Sequence, residues 1–414
     1  MSLTSPVVGI AFVTAFLLGF GTASSYAARP EFADFDRRAK AGEHLNVVFF
    51  GASLTWGANA TDPQQTSYRA RIAQRLEREY PAAHFKFWDA AIGGTGSQLG
   101  VFRFERDVLA RKPDLVFVDF SANDGINAAD GETLASYESL VRRIIVDAGA
   151  PVVPVILPFM WDVDKGNTDG MLRRDAHLAI AAAYHAPVGD AIALAQKRVK
   201  SGEIKIEQLW PVDGVHPGDI GYELFADAAW DAFKIGINDK RVCAAPAKML
   251  HADTYMKNAR VRISILTPLP KGWTAGSPHV VAAYFDMLMS RWLEDEVIAT
   301  SKAGEIKRLR ARFSGTMVML FGESTVKSGK YRVYIDGQLV KHIADKKTLE
   351  EFDAGDLGKR VGGNAHNAQV LASGLDPTAE HTLEIEAIVD EKLDQEWRFE
   401  SICVAGARAV VRKD

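Results

Sequence analysis

Apolar and polar positions follow two different rhythms along this chain. From about residue 45 to 234, short and wholly apolar runs take turns with longer stretches whose apolar residues recur every three or four positions. The run Val47-Val48-Phe49-Phe50 has the length of a strand buried on both faces, and it breaks at Gly51, where the backbone can turn sharply. Tyr68, Ile72, Leu76 and Tyr80 then mark one face of a helix that Pro81 ends. Residues 85–88, 115–120, 152–157 and 187–190 read as further strands, and helices are expected around 102–109, 140–145, 171–184 and 219–233. Strands alternating with helices imply a parallel sheet joined by right-handed crossovers.

Past Ile235 the rhythm changes. Residues 261–265, 308–313 and 383–388 alternate apolar with polar, as half-buried antiparallel strands do. The stretch 331–335 faces Leu339-Val340 across Asp336-Gly337, a strong hairpin signal. Residues 399–404 have the character of a closing strand and 284–294 that of a lone helix. This half reads as a β-sandwich, with the boundary near 236–250, where Ala244-Ala245-Pro246-Ala247 has linker composition. The expected division is an α/β domain over 29–240 and a sandwich over 250–414.

At 414 residues the chain has room for two domains. A net charge of −4 gives no reason to expect nucleic acid or an anionic membrane as partner. Residues 1–28 stand apart: Val7 to Phe20 is almost wholly apolar and Ser25-Tyr26-Ala27 offers small residues at a cleavage point. That is the layout of a signal peptide, although no Lys or Arg precedes the apolar run, and an uncleaved anchor is the alternative. The expectation is export to the periplasm or beyond, with no stable membrane span after cleavage. In that compartment Cys243 and Cys403 could pair, or both could be buried thiols; the sequence leaves this open.

A hydroxyl at the carboxyl end of a parallel strand sits where open α/β sheets bind ligands, so Ser53 is a candidate nucleophile in need of a base and an oxyanion site. Three other pieces supply candidates: Gly94, Asn123 and the stretch Asp213-Gly214-Val215-His216. Each alone is an ordinary turn. Together, Gly51-Ala52-Ser53-Leu54, then Gly94, then Ala122-Asn123-Asp124, then Asp213-x-x-His216 resemble, in order, the four blocks of the SGNH hydrolases, also called the GDSL esterase/lipase family. The resemblance spans about residues 45–234. It implies a flavodoxin-like three-layer α/β/α domain, here followed by a jelly-roll-like sandwich. It also implies a catalytic set of Ser53, His216 as base and Asp213 as its orienting acid. The implied oxyanion donors are the backbone N–H groups of Ser53 and Gly94 and the Asn123 side-chain amide. No metal or other cofactor is implied. Two positions depart from the family pattern: Ala52 stands where an Asp is usual, and Ser121 where a Gly is usual two residues before the block III Asn.

Residue type gives the same chemistry independently. A serine hydroxyl attacks only when a neighbouring imidazole takes its proton, and a carboxylate three residues before that imidazole can fix its tautomer. Asp124 reads as a structural hydrogen-bonder rather than a catalytic acid. Trp56, Trp161 and Trp210 are near motif residues in sequence and could stack on a sugar or wall an acyl pocket, though packing is the ordinary role of any one of them. Trp273, Trp292 and Trp397 are available in the sandwich, while His366 and His381 lack metal-ligand spacing there.

The export signal, the resemblance and the appended sandwich together imply, by analogy, an exported serine esterase removing short acyl groups, acetyl foremost, from a carbohydrate, its substrate being a small-molecule or polysaccharide ester. Three alternatives accompany it: an O-acetyltransferase with the same triad, a lipase or thioesterase for longer chains, and a non-catalytic glycan-binding protein, which the intact Ser53, Asp213 and His216 disfavour. The sequence does not give the oligomeric state.

Overall fold

The structure, a computed structural model, describes residues 30–280, 293–344 and 346–414. Its first half is built on β1 (His44–Gly51), whose residues from Val47 onward are all buried. Apolar side chains on both faces require cover on both faces, and that cover comes from helices. The helices and strands follow in order: α1 (Phe32–Lys40) before β1, then α2 (Ser53–Trp56), α3 (Tyr68–Glu79), β2 (His84–Ala91), α4 (Ser97–Asp107), β3 (Leu115–Val118) and α5 (Gly131–Val146). After these come β4 (Val152–Ile156), α6 (Met160–Asp164), α7 (Leu172–Ala183), β5 (Gly189–Asp190), α8 (Ala191–Lys200), α9 (Ile206–Leu209) and α10 (Asp219–Asn238). The strands pair in parallel in the order β2-β1-β3-β4-β5. That is the flavodoxin-like order, and its direction reverses between β1 and β3.

The second half comprises β6 (Asn258–Arg262), β7 (Thr274–Gly276), β8 (Glu296–Thr300), β9 (Leu309–Ser314), β10 (Met317–Ser324), β11 (Lys330–Ile335), β12 (Gln338–Leu339), a ribbon of β13 (His342–Ala344) and β14 (Lys347–Leu349), and β15 (Phe352–Asp353). A short α11 (Asp356–Val361) precedes β16 (Ala365–Ser373), β17 (His381–Ile388), β18 (Glu396–Ala405) and β19 (Val410–Lys413). One antiparallel sheet runs β16-β10-β18-β8-β7 with β6 against β18; the other runs β12-β11-β17-β9-β19 with β15 against β11. Val318, Leu320, Phe399 and Val404 of the first meet Phe313, Tyr331, Val333 and Leu383 of the second in one core. The expected hairpin is present, with positive φ at both Asp336 (51°) and Gly337 (74°), as a tight two-residue turn requires.

The two halves share apolar packing. On β10, Val318 and Leu320 face the sandwich core, while Met317, Met319 and Phe321 belong to the core of the parallel-sheet half. Burying such side chains contributes about 1.5–3 kcal/mol each. This explains why β10 escapes the alternating pattern: both of its faces are covered.

Several expectations need correction. Only Asn258–Arg262 is strand where 261–265 was expected; residues Ile263–Ile265 turn as a 3₁₀ helix. The stretch around Ala244-Pro246 is held rather than loose. Cys243 N–H donates to the Pro30 carbonyl at 2.8 Å, Ala244 N–H to that of Tyr184 at 3.0 Å, and Arg142 to that of Pro246 at 2.8 Å. Cys243 and Cys403 are separate buried thiols. The expected leader and most of the expected helix at 284–294, with Trp292, lie outside the described residues. Among the described residues no helix is long and apolar enough to cross a membrane.

Candidate active site

Ser53 opens the four-residue α2 directly after β1 and is 4 % exposed. Gly51 is required by crowding rather than by an unusual φ: a Cβ there would fall 2.1 Å from Thr55 Oγ1 and 2.7 Å from the Asp119 carbonyl oxygen. The Ser53 turn is thus pressed against the end of β3.

The Asp213–His216 loop leads into α10 and returns to the same edge. His216 Nε2 is 2.9 Å from Ser53 Oγ, and the ring is buried. Asp213 Oδ1 accepts from the backbone N–H groups of Val215 and His216, both at 2.7 Å, and Oδ2 is 3.7 Å from His216 Nδ1. Burial pushes the His216 imidazole below its ordinary 6.5, with the Asp213 charge opposing. Burial alone would raise the Asp213 carboxyl, but the hydrogen bonds from His216 N–H, the Asn59 amide and Val215 N–H hold it below its ordinary value. The result is a neutral ring beside an ionised acid, which suits proton abstraction from a hydroxyl.

The loop after α2 and the His216 loop are stitched together. Asn59 donates to Asp213 Oδ2 at 2.8 Å, Thr61 N–H and Thr66 Oγ1 donate to Asp219 at the start of α10, and Tyr222 OH donates to the Ala58 carbonyl at 2.6 Å. On the other side, Met160 N–H donates to the Gly214 carbonyl at 2.8 Å.

Gly94 and Asn123 occupy the turns after β2 and β3, on either side of β1. Ile92 N–H donates to the Gly51 carbonyl at 3.2 Å, and Gly94 is held at φ 72°, a conformation suited to glycine. Asp124 receives Ser97 N–H at 3.0 Å and Ser97 Oγ at 2.6 Å, so it caps α4 and joins the Asn123 turn to the loop that carries Gly94. Its expected structural role is what the geometry gives. Ser53, Gly94 and Asn123 lie at the carboxyl ends of the adjacent strands β1, β2 and β3, and Asp213 and His216 on the loop that returns to them.

Residues 49–224 match the family model described as GDSL-like Lipase/Acylhydrolase. The chain carries a GDSL-like lipase/acylhydrolase domain. Among solved structures, the chain is similar to a two-domain esterase (CEX) active on acetylated mannans, at 22% identity over 91% of this chain and 95% of that one, with a TM-score of 0.70. The same esterase co-crystallised with mannopentaose gives 23% identity, the same coverage and a TM-score of 0.68. The likeness therefore extends through the GDSL-like domain and the antiparallel half together. No curated protein matches the chain.

Both departures from the family pattern are buried. Ala52 is fully buried. Ser121 Oγ donates to Asp119 at 2.8 Å and accepts Leu157 N–H at 2.9 Å, tying the ends of β3 and β4 together. Burial raises the Asp119 carboxyl to about 7. Two neighbours of the site escaped the sequence reading: Asn59 and Asp119. Asn59 has a positive φ of 67°, which is the kind of position Asn favours, but a lone Asn carries no such signal in sequence. Of the tryptophans considered, Trp210 is buried and Trp273 and Trp397 lie in the sandwich core, whereas Trp161 is 51 % exposed beside the Asp213–His216 loop.

Proposed function

We propose that this chain is an exported serine esterase that removes acetyl groups from a polysaccharide, with acetylated mannan as the favoured substrate class. The observation that carries the reading is the 2.9 Å approach of His216 Nε2 to Ser53 Oγ, at the point where the parallel sheet reverses direction. In this mechanism His216 takes the proton as Ser53 Oγ bonds to the ester carbonyl carbon. The resulting oxyanion receives hydrogen bonds from the N–H groups of Ser53 and Gly94 and from the Asn123 amide. Collapse breaks the bond to the sugar oxygen, which leaves with the proton from His216, and the acetyl group stays on Ser53. Water, deprotonated by the same ring, then releases acetate and restores the serine.

The substrate class is supported by the likeness in fold, across both halves, to an esterase active on acetylated mannans. The apolar run at 7–20 supports export. The test is acetate release from acetylated mannan, xylan and pectin by the wild type and by Ser53→Ala, with a fluorophosphonate to mark the nucleophile. The expected outcome is mannan-preferring release, labelling at Ser53, and a folded but inactive Ser53→Ala. Near wild-type turnover by that variant would overturn the mechanism, and equal release from all three polymers would overturn the substrate assignment.

A further inference from the structure

The two halves meet along a cleft that none of Ser53, Gly94, Asn123, Asp213 and His216 lines. One wall is α4 and α5 of the GDSL-like domain; the other is β6 and the connection between β18 and β19. α4 sets the separation from the Ser53 end. Its first residue, Ser97, is tied to Asp124 in the Asn123 turn, whereas the cleft is built on Phe102, Glu105 and Arg106 further along. Arg106 lies about 13 Å along the helix from Ser97. The cleft encloses about 690 Å³, within the range of ligand sites.

The chain carries a net charge of −4, yet six cations are gathered here among the described residues: Arg106, Arg143, Lys257, Arg260, Arg262 and Arg408. Only Glu105 and Glu294 oppose them in the lining. Arg260 and Arg262 are two apart on β6 and so present their charges on one face. Most of the guanidinium groups are anchored. Arg106 Nε donates to Asp107 at 2.7 Å, Arg143 Nε to Asp147 at 2.8 Å and Arg260 Nη2 to Glu400 at 2.6 Å, while Arg262 pairs with Glu294 and Asp295. Such partners hold a guanidinium in place and occupy only part of its five donors. Arg143 pairs with Glu105 as well, yet its Nη1 is buried with no hydrogen-bond partner among the described residues. Lys257 and Arg408 are exposed and form no ion pair among the described residues.

An anchored guanidinium with spare donors suits a planar carboxylate, which it can grip with two parallel bonds. Beside these cations stand half-buried Met256 and exposed Ile265, which give the cleft an apolar part. A matching ligand offers carboxylates to the cations and a C–H face to those side chains. A uronate ring has both, an inorganic anion only the first, and a neutral sugar only the second.

We propose that this cleft is a second saccharide site, supplied by both domains, that binds a carboxylate-bearing chain such as an oligouronate. Held there on an acidic polymer, the protein keeps its Ser53 end free for a neighbouring acetylated chain. The site does not depend on the esterase reading.

The experiment titrates the full chain by calorimetry with pentagalacturonate, mannopentaose, inorganic phosphate and the acidic peptide pentaglutamate in low salt. Lys257→Ala/Arg408→Ala and Lys257→Glu/Arg408→Glu are compared with the wild type, with thermal melting as the check on folding. Pentagalacturonate should bind the wild type, and its affinity should fall as salt is added. The alanine pair should weaken it about tenfold and the glutamate pair further, at unchanged melting temperature, while any mannopentaose binding stays as in the wild type. Absence of pentagalacturonate binding in low salt overturns the proposal. Undiminished affinity in both double variants also overturns it, because the ligand then sits elsewhere. Equal binding of pentaglutamate or phosphate overturns the saccharide assignment and leaves a general anion site.

Discussion

Asn59 Nδ2 donates at 2.8 Å to Asp213 Oδ2, the same carboxylate oxygen that lies 3.7 Å from His216 Nδ1. Asp213 is thus gripped by its own loop through Oδ1 and by the loop that follows Ser53 through Oδ2, so the two loops share one carboxylate. Asn59→Gly keeps the positive φ while deleting the donor. The expected result is a fall in kcat of about 3- to 10-fold, consistent with loss of one hydrogen bond to a charged group that acts at a distance from the reaction. Steady-state kinetics on a soluble acetyl ester check this. Unchanged turnover would mean that Asp213 is oriented by its backbone donors alone.

The charge state of His216 gives a pH dependence with a definite sign. Burial lowers its pKa below 6.5, partly offset by Asp213. A general base works when neutral, so kcat/KM should rise with pH through an apparent pKa below 6.5 and stay high above it. Asp213→Asn removes the opposing charge. The acid limb should therefore move to still lower pH while kcat falls by about 10²–10⁴. A limb above 6.5 in the wild type, or one that moves upward in Asp213→Asn, would contradict this assignment of base and acid.

Legibility in the sequence followed the reach of each interaction. β1 was readable because strands buried on both faces leave an unbroken apolar run, and the four site blocks, each an ordinary turn alone, because they stand together in the order of a known family. The class of each half followed from rhythm alone. β10 was not readable, since Met317, Met319 and Phe321 answer to one core and Val318 and Leu320 to another, which erases the alternation. α1 hides between the leader-like stretch and β1, where its burial depends on contacts with Phe233 on distant α10. Asn59 is a residue whose part in the site depends on a partner 154 positions away, and no local pattern records such a partner.

Ser121 illustrates a departure with a structural reason. Its hydroxyl donates to buried Asp119 and accepts the Leu157 N–H. Ser121→Ala, or the family's usual Gly, removes a buried hydroxyl that donates to Asp119 and shares the Leu157 N–H with it. The expected destabilisation is about 1–3 kcal/mol, read as a lower midpoint in urea at unchanged slope. Because the contact lies below the site and not in it, KM on a small acetyl ester should be unchanged. A stability equal to wild type would mean that β3 and β4 are held there without it.

Trp161 offers the remaining handle on substrate choice. It stands on α6, whose start is capped by Asp162 accepting Phe159 N–H at 2.9 Å, and whose Asp162 carbonyl accepts from Gln196 at 2.9 Å. The Phe159 ring, 4.9 Å away and tilted by 50°, supports the indole from beneath. A Cβ on Gly214 would lie 3.3 Å from the Trp161 ring, which places the indole against the loop that carries Asp213 and His216. A large apolar ring left half exposed beside the Asp213–His216 loop has unused stacking surface, and a sugar ring presents a flat array of C–H groups to match it. Trp161→Ala should therefore raise KM for an acetylated mannooligosaccharide about three- to tenfold, the equivalent of about 0.5–1.5 kcal/mol of aromatic contact, and leave nitrophenyl acetate kinetics unchanged. The paired substrates distinguish a sugar platform from a wall of the acyl pocket, because loss of an acyl wall would affect both esters alike. An equal change on both would assign Trp161 to the acetyl group, and no change on either would leave the saccharide to be held by other surfaces of the two domains.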